Sequence, residues 1–157
     1  MASKRTASYT HQKPDPVYNS ALANKFINCL MWDGKKATAQ RVFYGALEQI
    51  KKRMPDAEPL DVFTQAVEHV KPTVEVRSRR VGGATYQVPM QVNRIRQQSL
   101  SIRWIITAAR SKPGKPMFQR LADEFMAAYR REGEAMSKRE TTIKMADANK
   151  AFSHFAW

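Results

Sequence analysis

The sequence predicts a mainly α fold, a compact six-helix body with one protruding two-stranded antiparallel β-hairpin. Three observations carry this expectation. Apolar residues recur at steps of three and four in five segments and more weakly in a sixth, which is the spacing of a helix with one buried face. Between the third and fourth segments, two short runs rich in β-branched residues flank Gly82-Gly83, a pair able to take the positive φ of a tight hairpin turn. The 157 residues, 43% of them hydrophobic, are the usual length for one domain with its own core. A single domain over 1–157 is therefore expected, with a flexible basic arm at 1–16, the hairpin at 72–91 and a tail at 151–157.

The arm contains Lys4, Arg5 and Lys13, no acid before Asp15 and few large apolar residues, so nothing in it drives burial. Ser20 is a candidate N-cap, followed at helical spacing by Leu22, Phe26, Ile27, Leu30 and Met31 until Asp33-Gly34 closes the helix. Residues 35–54 place Ala39, Val42, Phe43, Ala46, Leu47 and Ile50 on one stripe that stops at Pro55. A third helix over 58–70 has Pro59 near its start and carries Leu60, Phe63, Val67 and Val70. After the hairpin, residues 92–110 repeat Val92, Ile95, Ser99, Ile102, Ile106 and Ala109 as a buried stripe. Ser-Lys-Pro-Gly-Lys-Pro over 111–116 reads as a loop, and a fifth helix over 117–132 rests on Phe118, Leu121, Ala122, Phe125 and Tyr129 with Gly133 as its stop. The last helical stretch, 134–150, is mostly polar. Beyond it Phe152, Phe155 and Trp157 must dock on the body or touch a partner.

A two-residue turn at Gly82-Gly83 fixes the hairpin register: Val81 faces Ala84, Arg80 faces Thr85, Arg79 faces Tyr86, Ser78 faces Gln87 and Arg77 faces Val88. Val74, Val76 and Val88 then form an apolar root set against the body. Arg79 and Arg80 leave opposite faces, so no rotation of the ribbon hides both against a core.

Charge says what the surface meets. The chain has 27 Lys plus Arg against 14 Asp plus Glu, a formal charge of +13, which implies an anionic partner. Between residues 76 and 122 stand ten cations and no acid: Arg77, Arg79, Arg80, Arg94, Arg96, Arg103, Arg110, Lys112, Lys115 and Arg120. Ordinary solvated surfaces intersperse both signs, and nucleic acid is the commonest polyanion able to supply the missing charge. Arginine predominates, which suits bidentate phosphate contacts and stacking on bases. Tyr86 offers either a stacking face for unpaired RNA bases or simply a β-former filling a strand position. Zinc-finger and zipper patterns are missing, which disfavours sequence-specific duplex DNA binding.

Enzymatic readings find little support. His11, His69 and His154 lie far apart, and Cys29 sits among apolar neighbours where a core position is expected. Asp33-Gly34-Lys35-Lys36 lacks the residues of a phosphate loop and reads as a helix–helix turn. With one cysteine, no signal-peptide pattern and no membrane-length apolar run, a cytoplasmic protein with no cofactor and no membrane partner is expected. An RNA-processing enzyme and a chromosomal DNA-binding protein stand as rivals to an RNA-binding structural protein.

Several segments resemble one family, the seventh protein of the small ribosomal subunit in its bacterial and organellar form. They are Lys25-Phe26-Ile27-Asn28, Leu30-Met31 with Asp33-Gly34-Lys35-Lys36, the run from Ser78 to Pro89, Arg103-Trp104, Ala109-Arg110, Lys144-Met145-Ala146 and the run from Ala148 to Phe152. They occur in family order along essentially the whole chain. The resemblance implies a non-enzymatic primary binder of small-subunit ribosomal RNA that nucleates assembly of the head. It also implies a hairpin tip near the exit-site transfer RNA and messenger RNA, and contact with the ninth and eleventh proteins of the same subunit. Carried over by position, Lys4, Arg5, Lys35, Lys36, Arg77, Arg79, Arg80, Arg94, Arg96, Arg103, Arg110, Lys112 and Lys115 would bind ribosomal RNA. Arg79, Val81, Gly82, Gly83, Ala84 and Tyr86 would lie by the exit site. The chain departs from the family in an arm with fewer cations and in Ala156 before Trp157, where an arginine is common.

Overall fold

The computed structural model describes residues 12–156. Six α-helices occupy Ala21–Leu30 (α1), Lys36–Arg53 (α2), Pro59–Val70 (α3), Arg94–Ser111 (α4), Met117–Tyr129 (α5) and Glu134–Ala148 (α6). Strands Val74–Val81 (β1) and Ala84–Gln91 (β2) form the hairpin, and a 3-10 segment, Lys150–Phe155, ends the described chain. The mainly helical fold with one antiparallel hairpin is the predicted one.

Helix boundaries follow local chemistry. The Ser20 side chain accepts from the Ala23 amide at 3.2 Å and starts α1. Asp33 and Gly34, at φ 52° and 72°, turn the chain into α2, closed by a 2.9 Å bond from the Lys35 amide to the Trp32 carbonyl. The Asn93 side chain accepts from the Arg96 amide at 2.9 Å and caps α4. The last described stretch of the expected arm is anchored: Asp15, 2% exposed, accepts from the amides of Tyr18 and Ser20 at 2.8 Å each and from the Tyr44 hydroxyl at 3.1 Å.

The core centres on α5, which packs on α2, α3, α4 and α6. Phe26, Phe43, Phe63 and Phe125, all fully buried, interlock; Phe43 and Phe63 meet edge to face with centroids 5.0 Å apart. Each such side chain contributes on the order of 1.5–3 kcal/mol through burial, so this quartet joins α1, α2, α3 and α5 into one body.

Four expectations need correction. Cys29 is exposed on α1 instead of buried. Of the stripe expected over 92–110, Val92, Ile102, Ile106 and Ala109 are buried and Ser99 is half-buried, but Ile95 is 50% exposed, and Leu100, Ser101, Ile105 and Ala108 are buried as well. From Arg94 to Ser99 every residue is exposed or half-buried, and full burial begins at Leu100, on a wider arc than one stripe. α5 stops at Tyr129, three residues before the expected end, because Arg131 turns left-handed at φ 61° and Gly133 follows at φ 93°. α6 likewise ends at Ala148, and the chain tightens into the 3-10 segment.

Candidate nucleic-acid interface

The hairpin has the predicted register, residue for residue: Val81 opposite Ala84, Arg80 opposite Thr85, Arg79 opposite Tyr86, Ser78 opposite Gln87 and Arg77 opposite Val88. Gly82 and Gly83 sit at φ 56° and 84° with open space around both, the two positive angles of a two-residue turn. The tip, Val81 to Ala84, is bare backbone and small side chains. Arg80 is exposed and makes no ion pair or hydrogen bond to another described residue.

The faces of the ribbon behind the tip are unequal. The C-terminal 3-10 segment folds back on β2, setting the rings of Phe152 and Phe155 5.2 and 4.9 Å from the Tyr86 ring. Arg79 donates to the Phe155 carbonyl. Tyr86 is thus part of an intramolecular aromatic cluster with Phe152 and Phe155. The His154 ring lies tilted against Phe155 with centroids 4.1 Å apart and remains exposed. Lys4, Arg5 and Trp157 lie outside the described residues.

At the root Val88 is buried, but Val74 and Val76 are only half-covered, so the expected apolar root is one valine deep on β2. The buried group of β1 is Glu75, 7% exposed. Its Oε1 accepts from Arg77 Nε at 2.8 Å and from Arg96 Nε at 2.6 Å, clamping the hairpin to α4. Burial pushes the Glu75 carboxyl pKa up, yet the bonds and charges of Arg96 and Arg77 outweigh it and leave the value below the ordinary 4.5.

Acids standing just outside the acid-free window supply several of its counter-charges. Besides Glu75, Glu124 on α5 is fully buried and accepts from Lys112 Nζ at 2.8 Å with one oxygen and from the Ala135 amide at 2.9 Å with the other. Asp123 pairs with Lys115 at 3.0 Å and also with Arg53. Arg120 donates to the carbonyls of Arg110 and Lys112 at 3.2 and 2.6 Å, completing the C-terminal end of α4. The window is therefore less unopposed than its composition suggests.

The arginines of α4 form a row. Arg96, Arg103 and Arg110 are spaced by seven, so they share one face of α4 and span about 21 Å at 1.5 Å per residue. Arg103 is exposed and makes no ion pair or hydrogen bond to a described residue; the same holds for Arg94 on the first turn. Arg110, at the other end, donates to the Leu30 carbonyl at 3.0 Å and lies over the Trp32 ring with its guanidinium carbon 4.8 Å from the centroid. Lys35 and Lys36 begin α2 beside Trp32. The structure thus joins the hairpin root, the α4 arginines and the α1–α2 turn along one edge. Sequence reasoning named those arginines but missed their heptad spacing, and it missed Trp32, a tryptophan directly before the Asp33-Gly34 turn.

His69 bonds through Nδ1 to the Ala128 carbonyl at 3.0 Å and ties α3 to α5. Among the described residues no group of three or more His, Cys, Asp or Glu could hold a metal, and no helix is long and apolar enough to cross a membrane.

Comparison with known proteins places the chain in a family. Residues 2–150 match the family described as Ribosomal protein S7p/S5e. The chain is similar to the small ribosomal subunit protein uS7 of Rhodopirellula baltica, 62% identical over 153 residues covering 97% of this chain and 98% of the relative. The protein of the same name from Thermotoga neapolitana is 55% identical over 154 residues, covering 98% and 99%. That from Desulfotalea psychrophila is 52% identical over 157 residues, covering both chains fully. A hairpin on a six-helix body, an arginine row on α4 and a family match along nearly the full length lead to one conclusion: this chain belongs to the Ribosomal protein S7p/S5e family.

Proposed function

We propose that the chain is a structural, non-enzymatic protein of the small ribosomal subunit that binds subunit RNA directly, nucleates assembly of the head and works in the cytoplasm as part of the ribosome. Family membership supports the first element, and relatives at 52–62% identity carry the subunit in their names. The observation that carries the RNA reading is the edge formed by Arg94, Arg103, Arg110, Lys35 and Lys36, where Arg94 and Arg103 are exposed and make no ion pair with a described residue. Such a surface neutralises phosphates at several points along about 20 Å, and its rigidity on α4 holds their spacing.

The hairpin carries the second part of the reading. Its bare tip, with Arg80 free and Gly82-Gly83 exposed, suits close approach to a backbone, and we place it by the exit-site transfer RNA and messenger RNA. Arg79, Val81, Ala84 and Tyr86 belong to the same exit-site-proximal set. Lys4, Arg5, Arg77, Arg96, Lys112 and Lys115 remain assigned to ribosomal RNA, the last four with an internal carboxylate to share. The ninth and eleventh proteins of the subunit are the expected protein neighbours.

Competition binding tests the proposal. The full chain should hold a head-domain fragment of small-subunit RNA against a large excess of duplex DNA of equal length. Equal competition by DNA would favour a chromosomal DNA-binding protein, and RNA turnover lost on His69→Ala would favour an enzyme.

A further inference from the structure

A cleft of about 400 Å³ opens between the α1–α2 turn and the start of α5. Leu30, Met31, Val42 and Met117 form its apolar floor; Trp32, Lys35, Arg110 and Arg120 stand around it. Trp32 is 67% exposed, unusual for the largest apolar side chain on a surface otherwise well packed. One face of its ring is occupied by the Arg110 guanidinium, which fixes the indole and leaves the rest of the ring to solvent.

The electrostatics of the cleft are one-sided. No acid lines it. Partial burial lowers the Arg110 pKa, and no acidic neighbour offsets that. Arg120 Nε is buried without a hydrogen-bond partner. Lys35 stands at the N-cap of α2, where no side chain caps the helix and no acid lies in the first turn, so the positive end of an 18-residue helix is also uncompensated. An anion beside an aromatic surface offsets the charges of Lys35 and Arg110 and the uncapped start of α2 together. A cationic or neutral protein segment would relieve none of the charge.

We propose that this cleft binds a single unpaired RNA nucleotide, its base stacked on Trp32 over the apolar floor and its phosphate among Lys35, Arg110 and the start of α2. The volume lies in the range of about 300–1,000 Å³ typical of ligand clefts, and an aromatic ring beside guanidinium groups is a recurrent way of holding an extruded base. This deepens the RNA-binding reading and rests on it, and it adds to the cations Lys35 and Arg110 a base-stacking surface, Trp32, that lies upstream of the acid-free window.

Two measurements on the full chain test it. Trp32→Ala should weaken binding to the head-domain RNA fragment by roughly tenfold to a hundredfold, in line with the loss of one base–aromatic stack, and Trp32→Phe should restore most of it. In a Trp104→Phe/Trp157→Phe background, where Trp32 is the one remaining tryptophan, RNA binding should quench the Trp32 emission, a readout that does not depend on how well the alanine variant folds. Unchanged affinity of the alanine variant, or unquenched emission on a bound complex, overturns the site. Unchanged RNA affinity with poor incorporation into assembled subunits overturns it in favour of an acidic protein neighbour. Failure of the unsubstituted chain to bind the RNA would instead sink the broader reading.

Discussion

At the scale of single residues, three carboxylates organise the basic edge. Glu75, Asp123 and Glu124 fall immediately outside the stretch that composition marks as acid-free, and the fold brings each one back to it. No counting rule along the sequence could show this, because the pairs Arg96–Glu75 and Lys112–Glu124 are made across elements. Glu75→Gln leaves Arg77 and Arg96 facing each other without their shared acceptor charge. Because both arginines are partly solvated, the expected loss is about 1–2 kcal/mol in chemical denaturation. The folded Glu75 pKa lies below its unfolded value near 4.5, so this contribution is present above that pH and is lost as pH falls through the lower folded value. Acid titration of the unsubstituted protein should therefore show a component absent from the glutamine variant. Gly133 carries a different constraint: at φ 93° and ψ 177° it occupies a region open essentially to glycine alone, and an added Cβ would lie 2.9 Å from the Ala127 Cβ. Gly133→Ala should cost roughly 2–3 kcal/mol, seen as a fall in Tm of about 5–10 °C.

At the scale of elements, the hairpin was the most legible part of the chain. A Gly-Gly pair between β-branched runs fixes both turn and register, and the pairing from Val74–Gln91 to Val81–Ala84 obeys it without a bulge. α4 was legible as a helix but not in its rotation: a spacing of three and four can be drawn through Ile95, Ser99 and Ile102 or through Ser101, Ile105 and Ala108, and only tertiary neighbours choose. The 3-10 segment was invisible as structure, although its aromatics announced that it must dock somewhere. Its docking on Tyr86 predicts that Phe155→Ala accelerates amide hydrogen exchange along β1 and β2 while the melting of the helical body changes little. Equal exchange rates in the two proteins would show that the tail does not brace the ribbon.

At the scale of the whole molecule, a core of interlocked phenylalanines holds α4 still while its outer face presents arginines, and the hairpin extends that face beyond the body. Fold class, anionic partner and family were all readable from residues; the selection of open cations from the larger basic set required the structure. Arg103 is the clearest case, exposed and unpaired at the middle of the row. Its replacement by alanine should lower the salt slope of RNA binding by about one, whereas Lys112→Ala should mainly cost stability because it strands the buried Glu124.

The central claim, that function here is phosphate neutralisation by a shaped cationic edge, is tested most directly by measuring the affinity for head-domain small-subunit RNA across a salt series. The account predicts a linear fall of log affinity against log salt, with a slope of roughly 0.7–0.9 for each phosphate neutralised and several phosphates in all; a flat profile would contradict it.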